Sequence, residues 1–256
     1  MFKNYLIALK TLAFKECYRI LRIWTQTIVP PVITMILYFL IFGQFLGNHI
    51  GMIEGVTYTS FITPGFIMMS TITNTYANVS GSLFMNKFQR SIEDLLIAPV
   101  PPTVILWGYI LGGLFRGLLI ALIVTLVACF FTKLQFTHYL ILICTIFLTL
   151  IALSCAGFIN GMIARKFDDI ALVPTFILVP LTYLGGVFYP INNLAPLYYH
   201  ISLFNPIIYM VNLFRYGMLG ITDVNINFAL SILLVITIAL YLLAYWMFKQ
   251  GIGVKR

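Results

Sequence analysis

Residues 87–102 read KFQRSIEDLLIAPVPP and interrupt a chain that is otherwise mostly apolar. Apolar residues recur at helical spacing through Phe88, Ile92, Leu95 and Leu96, which predicts one apolar helix face. Pro99 ends this helix, because a proline cannot continue the helical hydrogen bonding. We therefore predict a short amphipathic helix over residues 87–98 that is stiffened at its end by prolines.

The polar face of this helix carries four charges within eight positions, at Lys87, Arg90, Glu93 and Asp94. Arg90 lies three residues before one acid and four before the other, so the spacing predicts ion pairs across the helix surface.

Composition places the rest of the chain in a membrane. Of its 256 residues, 61% are hydrophobic and 9% are charged, and the mean hydropathy is +1.02. Runs of about 20 apolar residues are typical of membrane-spanning helices. We predict an all-α integral membrane protein with a single domain over residues 1–256 and no cleavable signal peptide. Its six spans are predicted at about 24–46, 58–83, 104–131, 138–163, 170–189 and 226–248.

The basic residues lie mostly on one side of these spans. Lys133 and Arg215 fall on the other side, and Arg116 lies within a span. The positive-inside rule places both termini and residues 87–98 in the cytoplasm. The net charge of +8 is thus a topology signal, and we expect no nucleic-acid partner. The basic residues on the cytoplasmic side are Lys3, Lys10, Lys15, Arg19, Arg22, Lys87, Arg90, Arg165, Lys166, Lys249, Lys255 and Arg256.

Residues 3–23 predict a helix that lies on the membrane surface. Its polar face comprises Asn4, Thr11, Lys15, Arg19 and Arg22, and its apolar face comprises Leu6, Leu9, Ala13, Ile20 and Trp24. Such helices lie among lipid headgroups. A plain cytoplasmic tail is the alternative.

Span two carries a polar stripe of Ser70, Asn74, Asn78 and Ser82, which are four residues apart and share one helix face. A polar group facing hydrocarbon costs several kcal/mol, so the stripe must face protein or water. It either forms hydrogen bonds between helices or lines a translocation path or subunit interface.

Span three combines Gly108, Gly112, Gly113 and Gly117 with Arg116. Small residues four apart allow close helix approach. An arginine within a span is a candidate for the same path or interface, or its side chain extends towards the headgroups.

The loop over residues 190–220 is rich in aromatic residues and prolines, and Arg215 is its one charge. This composition predicts short helices that re-enter the outer leaflet of the membrane. Pro206 is suited to the first turn of a helix, and Asn205 before it is suited to capping that helix. We expect Arg215, near the end of this helix, to anchor the segment at the outer headgroups.

The sequence contains none of the common residue patterns that indicate an active site, a nucleotide-binding loop or a metal site. The seven acidic residues fall in predicted loops or at span ends, and there is no H-E-x-x-H pattern and no G-x-x-x-x-G-K-[ST] loop. The four cysteines show no C-x-x-C spacing, and the three histidines are far apart, so we predict no metal site. We therefore predict a transport protein with no catalytic residues, whose energy source docks from the cytoplasm. The helix at 87–98 is either the docking element or a helix that lies on headgroups.

The chain also resembles the permease subunit of type-2 ATP-binding-cassette exporters over nearly its whole length. Lys87, Ile92, Glu93, Leu95, Leu96 and Pro99 match the family's coupling segment, in which Arg90 replaces a glycine. The outer segment of the family is matched by Gly186, Val187, Phe188, Pro190, Ala195, Pro196, Asn205, Pro206, Tyr209 and Arg215.

This resemblance implies a coupling helix that contacts a separate ATPase subunit, where ATP and Mg²⁺ would bind. It also implies a second permease copy and export across a bacterial inner membrane. The coupling residues would be Lys87, Arg90, Ile92, Glu93, Asp94, Leu95 and Leu96. The outer gate would comprise Gly186, Pro190, Asn205, Pro206, Tyr209 and Arg215. An autonomous carrier or channel, or a membrane anchor without transport activity, are the alternatives, and the substrate stays open between drugs, lipids and glycans.

The predicted topology is testable by cysteine labelling in intact cells, using a variant in which the four native cysteines are serine. New cysteines at Ile50 and Asn193 should react with an impermeant thiol reagent from outside. Those at Gln89 and Ile252 should react only after the cells are opened. Labelling at position 252 from outside would contradict the orientation.

Overall fold

The computed structural model describes residues 2–253 as a helical bundle. Lys255 and Arg256, which we counted among the basic residues, lie outside the described residues, as do residues 1 and 254. The α-helices are α1 (Phe2–Arg22), α2 (Trp24–Tyr38), α3 (Gly47–Ile50), α4 (Tyr58–Phe88), α5 (Ser91–Ile97), α6 (Pro102–Ala128), α7 (Tyr139–Ile163), α8 (Phe167–Val173), α9 (Val179–Tyr183), α10 (Pro196–Ser202), α11 (Pro206–Leu219) and α12 (Ile226–Gln250).

Shorter elements of three kinds complete the described part of the fold. π-Helical turns at Phe39–Leu46 continue α2, and others at Pro174–Leu178 join α8 to α9. A 3₁₀ turn at Ile191–Asn193 precedes α10. Met52–Ile53 pairs antiparallel with Val56–Thr57 in a small hairpin.

Within residues 2–253, four stretches are long and apolar enough to cross a membrane: Trp24–Leu46, Pro102–Ala128, Tyr139–Ile163 and Ile226–Gln250. They coincide with four of the predicted spans to within a few residues. The prediction of an all-α membrane protein is therefore confirmed. The region of the predicted fifth span forms three contiguous short helical stretches from Phe167 to Tyr183.

The helix α4 lies at the centre of the bundle and packs on α6, α7 and α11. From Tyr58 to Ile72 nearly every side chain is buried, whichever way it points. A helix that is covered all round is a core helix. Its position explains how a polar helix is accommodated, because most of its polar groups face protein.

Glycines of α6 allow two other helices to approach it closely. A Cβ atom at Gly108 would lie 2.8 Å from the Leu12 Cβ of α1, and one at Gly112 would lie 2.7 Å from the Glu16 Cβ. On a neighbouring face, a Cβ at Gly113 would collide with Ser154 of α7. The glycine pattern thus marks real helix contacts, as predicted.

The helix α1 packs on α6. Glu16 and Ile20 are buried, and Leu6 and Trp24, which we assigned to the apolar side, are more than half exposed. Arg19 was assigned to the polar side and reaches into the bundle to Asn78. The inward face of α1 thus carries a buried carboxylate, Glu16, which neither face assigned from the sequence included.

Substituting Gly112 by alanine should weaken the contact between α1 and α6. The new methyl group would overlap Glu16, and overpacking of this kind costs about 1–3 kcal/mol. We expect a lower Tm of the detergent-purified protein. Gly81→Ala is the matched control, because a Cβ atom there meets nothing within 4 Å and alanine favours the helix. Equal Tm values for the two variants would contradict the close approach.

Candidate coupling helix, polar path and outer segment

The predicted coupling helix is shorter than expected and begins after a turn. Lys87 and Phe88 end α4, and α5 then covers Ser91–Ile97. The prediction of one helix over residues 87–98 was therefore wrong at its start, but Ala98 leaves the helix in an extended conformation just before Pro99, as predicted.

Arg90 forms the turn between α4 and α5 with a left-handed backbone, at φ 59° and ψ 5°. This is the region that glycine enters without steric cost, so the arginine keeps the backbone shape that a glycine would give. The position of Arg90 in this turn also shows that the predicted ion pairs were wrong. Because Arg90 lies outside the helix, the helical spacing to Glu93 and Asp94 does not apply, and no ion pair forms with either within residues 2–253.

The two faces of α5 differ in their surroundings. Ile92 is 1% exposed, and Leu95 and Leu96 are partly buried against a cluster of α4, α6, α7 and α12 residues. Glu93 and Asp94 are exposed, and Ile97 is 83% exposed. The three inward residues hold α5 on the bundle, so the surface open to a partner is Glu93, Asp94 and Ile97.

Lys87 connects the end of α4 to the turn after α7. Its ammonium group donates to the backbone oxygens of Met162, at 2.6 Å, and Ala164. Beside it, Phe84 and Phe88 pack on Phe167 of α8. The geometry gives Lys87 a positioning role for this end of the bundle.

The polar stripe of α4 meets α1 through a carboxylate that the sequence analysis did not single out. Ser82 donates to Glu16, at 2.8 Å, and Arg19 donates to the same carboxylate at 2.9 Å and to the Asn78 Oδ1 at 2.7 Å. Glu16 is 4% exposed. In the sequence, Glu16 could have been noticed as the one acidic residue among the basic first 23 residues. Its burial beside Arg19 explains why an acid is found there.

Arg116 joins the other half of the stripe. One guanidinium nitrogen donates to the Asn74 Oδ1 at 3.3 Å, and Asn74 donates to the Ser70 carbonyl. Two N–H donors, the Arg116 Nε and the Asn78 Nδ2, are buried without an acceptor. A charged arginine within a span that has no counter-ion is costly. The structure thus joins Arg116 to Asn74 and Ser70, joins Asn78 and Ser82 through Arg19 and Glu16, and leaves one donor unused in each group.

A cleft of about 230 Å³ opens between α2 and α4 beside these residues. Its polar lining comes from Gln26 and Thr34 on one side and Ser70, Thr73 and Asn74 on the other.

The outer segment contains the predicted capped helix. The Asn205 Oδ1 accepts the backbone N–H of Ile207, and Pro206 occupies the first turn of α11. Tyr209 donates to the Leu203 carbonyl, which fixes the turn before the helix. The predictions for the Asn205 cap and for Pro206 are confirmed.

Arg215 is not at a headgroup surface, which corrects our expectation. Its side chain is fully buried and lies over the Phe61 ring at 4.0 Å. It donates to the carbonyls of Gly186, at 2.6 Å, and Phe61, at 3.4 Å. The physical reason is the carboxylate of Asp223, 3.7 Å from the Arg215 Nη1, which compensates the buried charge.

Asp223 orders the loops around this arginine. Its carboxylate accepts the backbone N–H of Ile191, next to Pro190, and the side-chain amide of Asn192. Burial raises the pKa of Asp223, and Arg215 opposes that shift. Burial and Asp223 also raise the pKa of Glu54. Sequence reasoning placed both acids in loops and missed that Asp223 pairs with Arg215.

Gly186 has a backbone conformation that favours glycine, with φ +70°. This turn aims its carbonyl at Arg215. The cluster thus joins the start of α4, residues 186–192, α11 and the loop before α12.

Sequence comparison agrees with this architecture. The profile of the family described as ABC-2 type transporter matches residues 7–219, which cover α1 to α11. The chain belongs to the ABC-2 type transporter family. The resemblance stated from the coupling and outer motifs is therefore confirmed.

Similar proteins include a transport permease and a nodulation protein. The chain is 50% identical to the inner membrane transport permease YadH of Escherichia coli strain K12 over 255 residues, 100% of both proteins. It is 25% identical to nodulation protein J of Rhizobium leguminosarum biovar viciae over 159 residues, 60% of each protein. This ABC-2 chain is thus a multi-pass inner membrane protein and the permease part of a transporter.

Arg215→Lys should fail almost as badly as Arg215→Ala in this ABC-2 chain. A lysine ammonium cannot donate to the carbonyls of Gly186 and Phe61, pair with Asp223 and also stack flat on the Phe61 ring. Losing one partner of a buried pair costs about 3–5 kcal/mol. We expect both variants to lower the Tm and to expose residues 186–192 to proteases. Wild-type behaviour of Arg215→Lys would show that any cation suffices.

Proposed function

We propose that the chain is the permease subunit of an ABC exporter that is driven by a separate ATPase docked on α5. ATP and Mg²⁺ bind in that ATPase, and this chain supplies no catalytic residue. The supporting observation is the free face of α5, where two acids flank an apolar residue that is 83% exposed. An ATPase docked here would cover Ile97, and Glu93 and Asp94 would form the polar rim of that contact.

The attachment of α5 suits it for transmitting force. Ile92 fixes it to the bundle, the left-handed Arg90 turn joins it directly to α4, and Pro101 and Pro102 lead into α6. Displacement of α5 by the ATPase would therefore move α4 and α6 rather than bend a loop. This favours a coupling role over a helix that only lies on headgroups.

The orientation follows from this role. The coupling end, with both termini, faces the cytoplasm, and six spans cross the membrane, with Phe167–Tyr183 as the fifth. The helix α1 lies in the inner headgroups, and residues 190–220 re-enter the outer leaflet as an exit gate. The basic residues support this assignment.

Two copies would form the transporter, with the α4 stripe and Arg116 at the path or the interface between them. The face of α4 around Ala77 and Gly81 is partly open in one copy, which supports a second chain there. Opening of the gate would let substrate leave the cytoplasm or the inner leaflet.

The docking role is tested by Ile97→Asp in the permease co-purified with its partner ATPase. A carboxylate in an apolar contact should reduce transport about tenfold or more, as a loss of ~1.4 kcal/mol of docking free energy does. Because the side chain is exposed, the Tm should stay unchanged.

Phe130→Asp is the matched control. Phe130 is 88% exposed between α6 and α7, at the opposite end of the bundle, and receives the same change. Transport should be unaffected there. Full transport with Ile97→Asp would argue for a carrier or channel that needs no ATPase at α5.

A further inference from the structure

An excess of hydrogen-bond donors and positive charge surrounds Arg116. Within residues 2–253, the two guanidinium groups of Arg19 and Arg116 share this region with one carboxylate, Glu16, which forms an ion pair with Arg19. Among the same residues, no carboxylate lies within ion-pair distance of Arg116. One positive charge is therefore uncompensated where α1, α4 and α6 meet.

The two buried nitrogens that lack a partner here are both donors. The Asn78 side chain is 2% exposed, its oxygen already accepts from Arg19, and its Nδ2 has no acceptor. The Arg116 Nε also has none. A ligand that satisfies these groups must bring acceptor oxygens and negative charge, which describes a phosphate or carboxylate.

Access to the site exists from the side of the bundle. Arg116 and Asn74 are partly exposed, and Asn74 lines the cleft between α2 and α4. The cleft walls at Met35, Tyr38 and Met69 are largely apolar, whereas Gln26, Ser70 and Asn74 are polar. Such a cleft suits an amphiphile whose head is anionic and whose tail is apolar.

We propose that Arg116, Arg19, Asn74 and Asn78 form a binding site for the phosphate group of an anionic amphiphile. Arg116 pairs with the phosphate, Asn78 donates its free N–H, and the tail lies along the cleft of α2 and α4. The proposal does not depend on ATPase coupling, since binding is measured on the permease alone. A membrane phospholipid and a soluble phosphate compound share this chemistry, and the experiment separates them.

The test measures the Tm of the full-length protein in neutral detergent. Phosphatidylglycerol, phosphatidylcholine, or glycerol 3-phosphate is added. We expect phosphatidylglycerol to raise the Tm and phosphatidylcholine to have little effect. Arg116→Gln should weaken the apparent affinity for phosphatidylglycerol about tenfold, as loss of one charge-assisted pair does. A shift with glycerol 3-phosphate alone identifies a soluble phosphate as the ligand.

Lys10→Gln is the matched control, because it removes one exposed positive charge from α1 away from the site. Its affinity for phosphatidylglycerol should match the wild type. If Lys10→Gln and Arg116→Gln lose the same affinity for phosphatidylglycerol, the protein attracts anionic lipid through its general positive charge. That result would overturn the proposed site.

Asn74→Asp keeps the proposal testable if Arg116→Gln does not fold. The Asn74 Oδ1 already lies 3.3 Å from the Arg116 guanidinium, so a carboxylate there supplies an internal counter-ion with little change of shape. This variant should be more stable than the wild type without lipid and should show no further Tm rise with phosphatidylglycerol. A wild-type response to lipid in Asn74→Asp would overturn the proposal.

Discussion

The structure depends on one constraint, which is that a polar group among membrane helices must find its partner within the protein. The helix α4 concentrates these groups, from Thr63 to Ser82, and the other helices are arranged to cover them. Glycines make that cover possible. Gly113 and Gly117 of α6 and Gly157 of α7 leave no room for a Cβ atom beside α4. The close approach of the helices is therefore also what supplies the polar groups of α4 with partners inside the protein.

Charges at the two ends of α4 are handled in different ways. At one end, Arg215 is compensated by Asp223 and held by two carbonyls, so the charge fixes loops to the helix bundle. At the other, Glu16 compensates Arg19 but not Arg116. A buried charge that has a counter-ion is suited to holding a shape, whereas a buried charge without one is suited to binding a ligand.

The helix α4 is also the mechanical link between these regions. It runs without a break for 31 residues, from the Arg215 cluster to the Arg90 turn that begins α5. Movement at α5 would therefore reach the outer segment through one rigid element, with the polar stripe along its length. This is why the proposed coupling, path and gate belong to one mechanism.

Features encoded locally could be read from the sequence. Helix positions followed from apolar runs, the end of α5 from Pro99, and the start of α11 from Asn205 and Pro206, because each depends on neighbouring residues alone. The family also followed from local motifs. The direction of long charged side chains did not, because periodicity fixes the angle of a residue around its own helix but not what lies opposite. Arg215 and Arg19 turn inward because the carboxylates of Asp223 and Glu16 compensate their charges there. Both acids are near their partners in the sequence, but only the tertiary structure decided that each pair is covered by other helices, and that burial makes the counter-ion necessary.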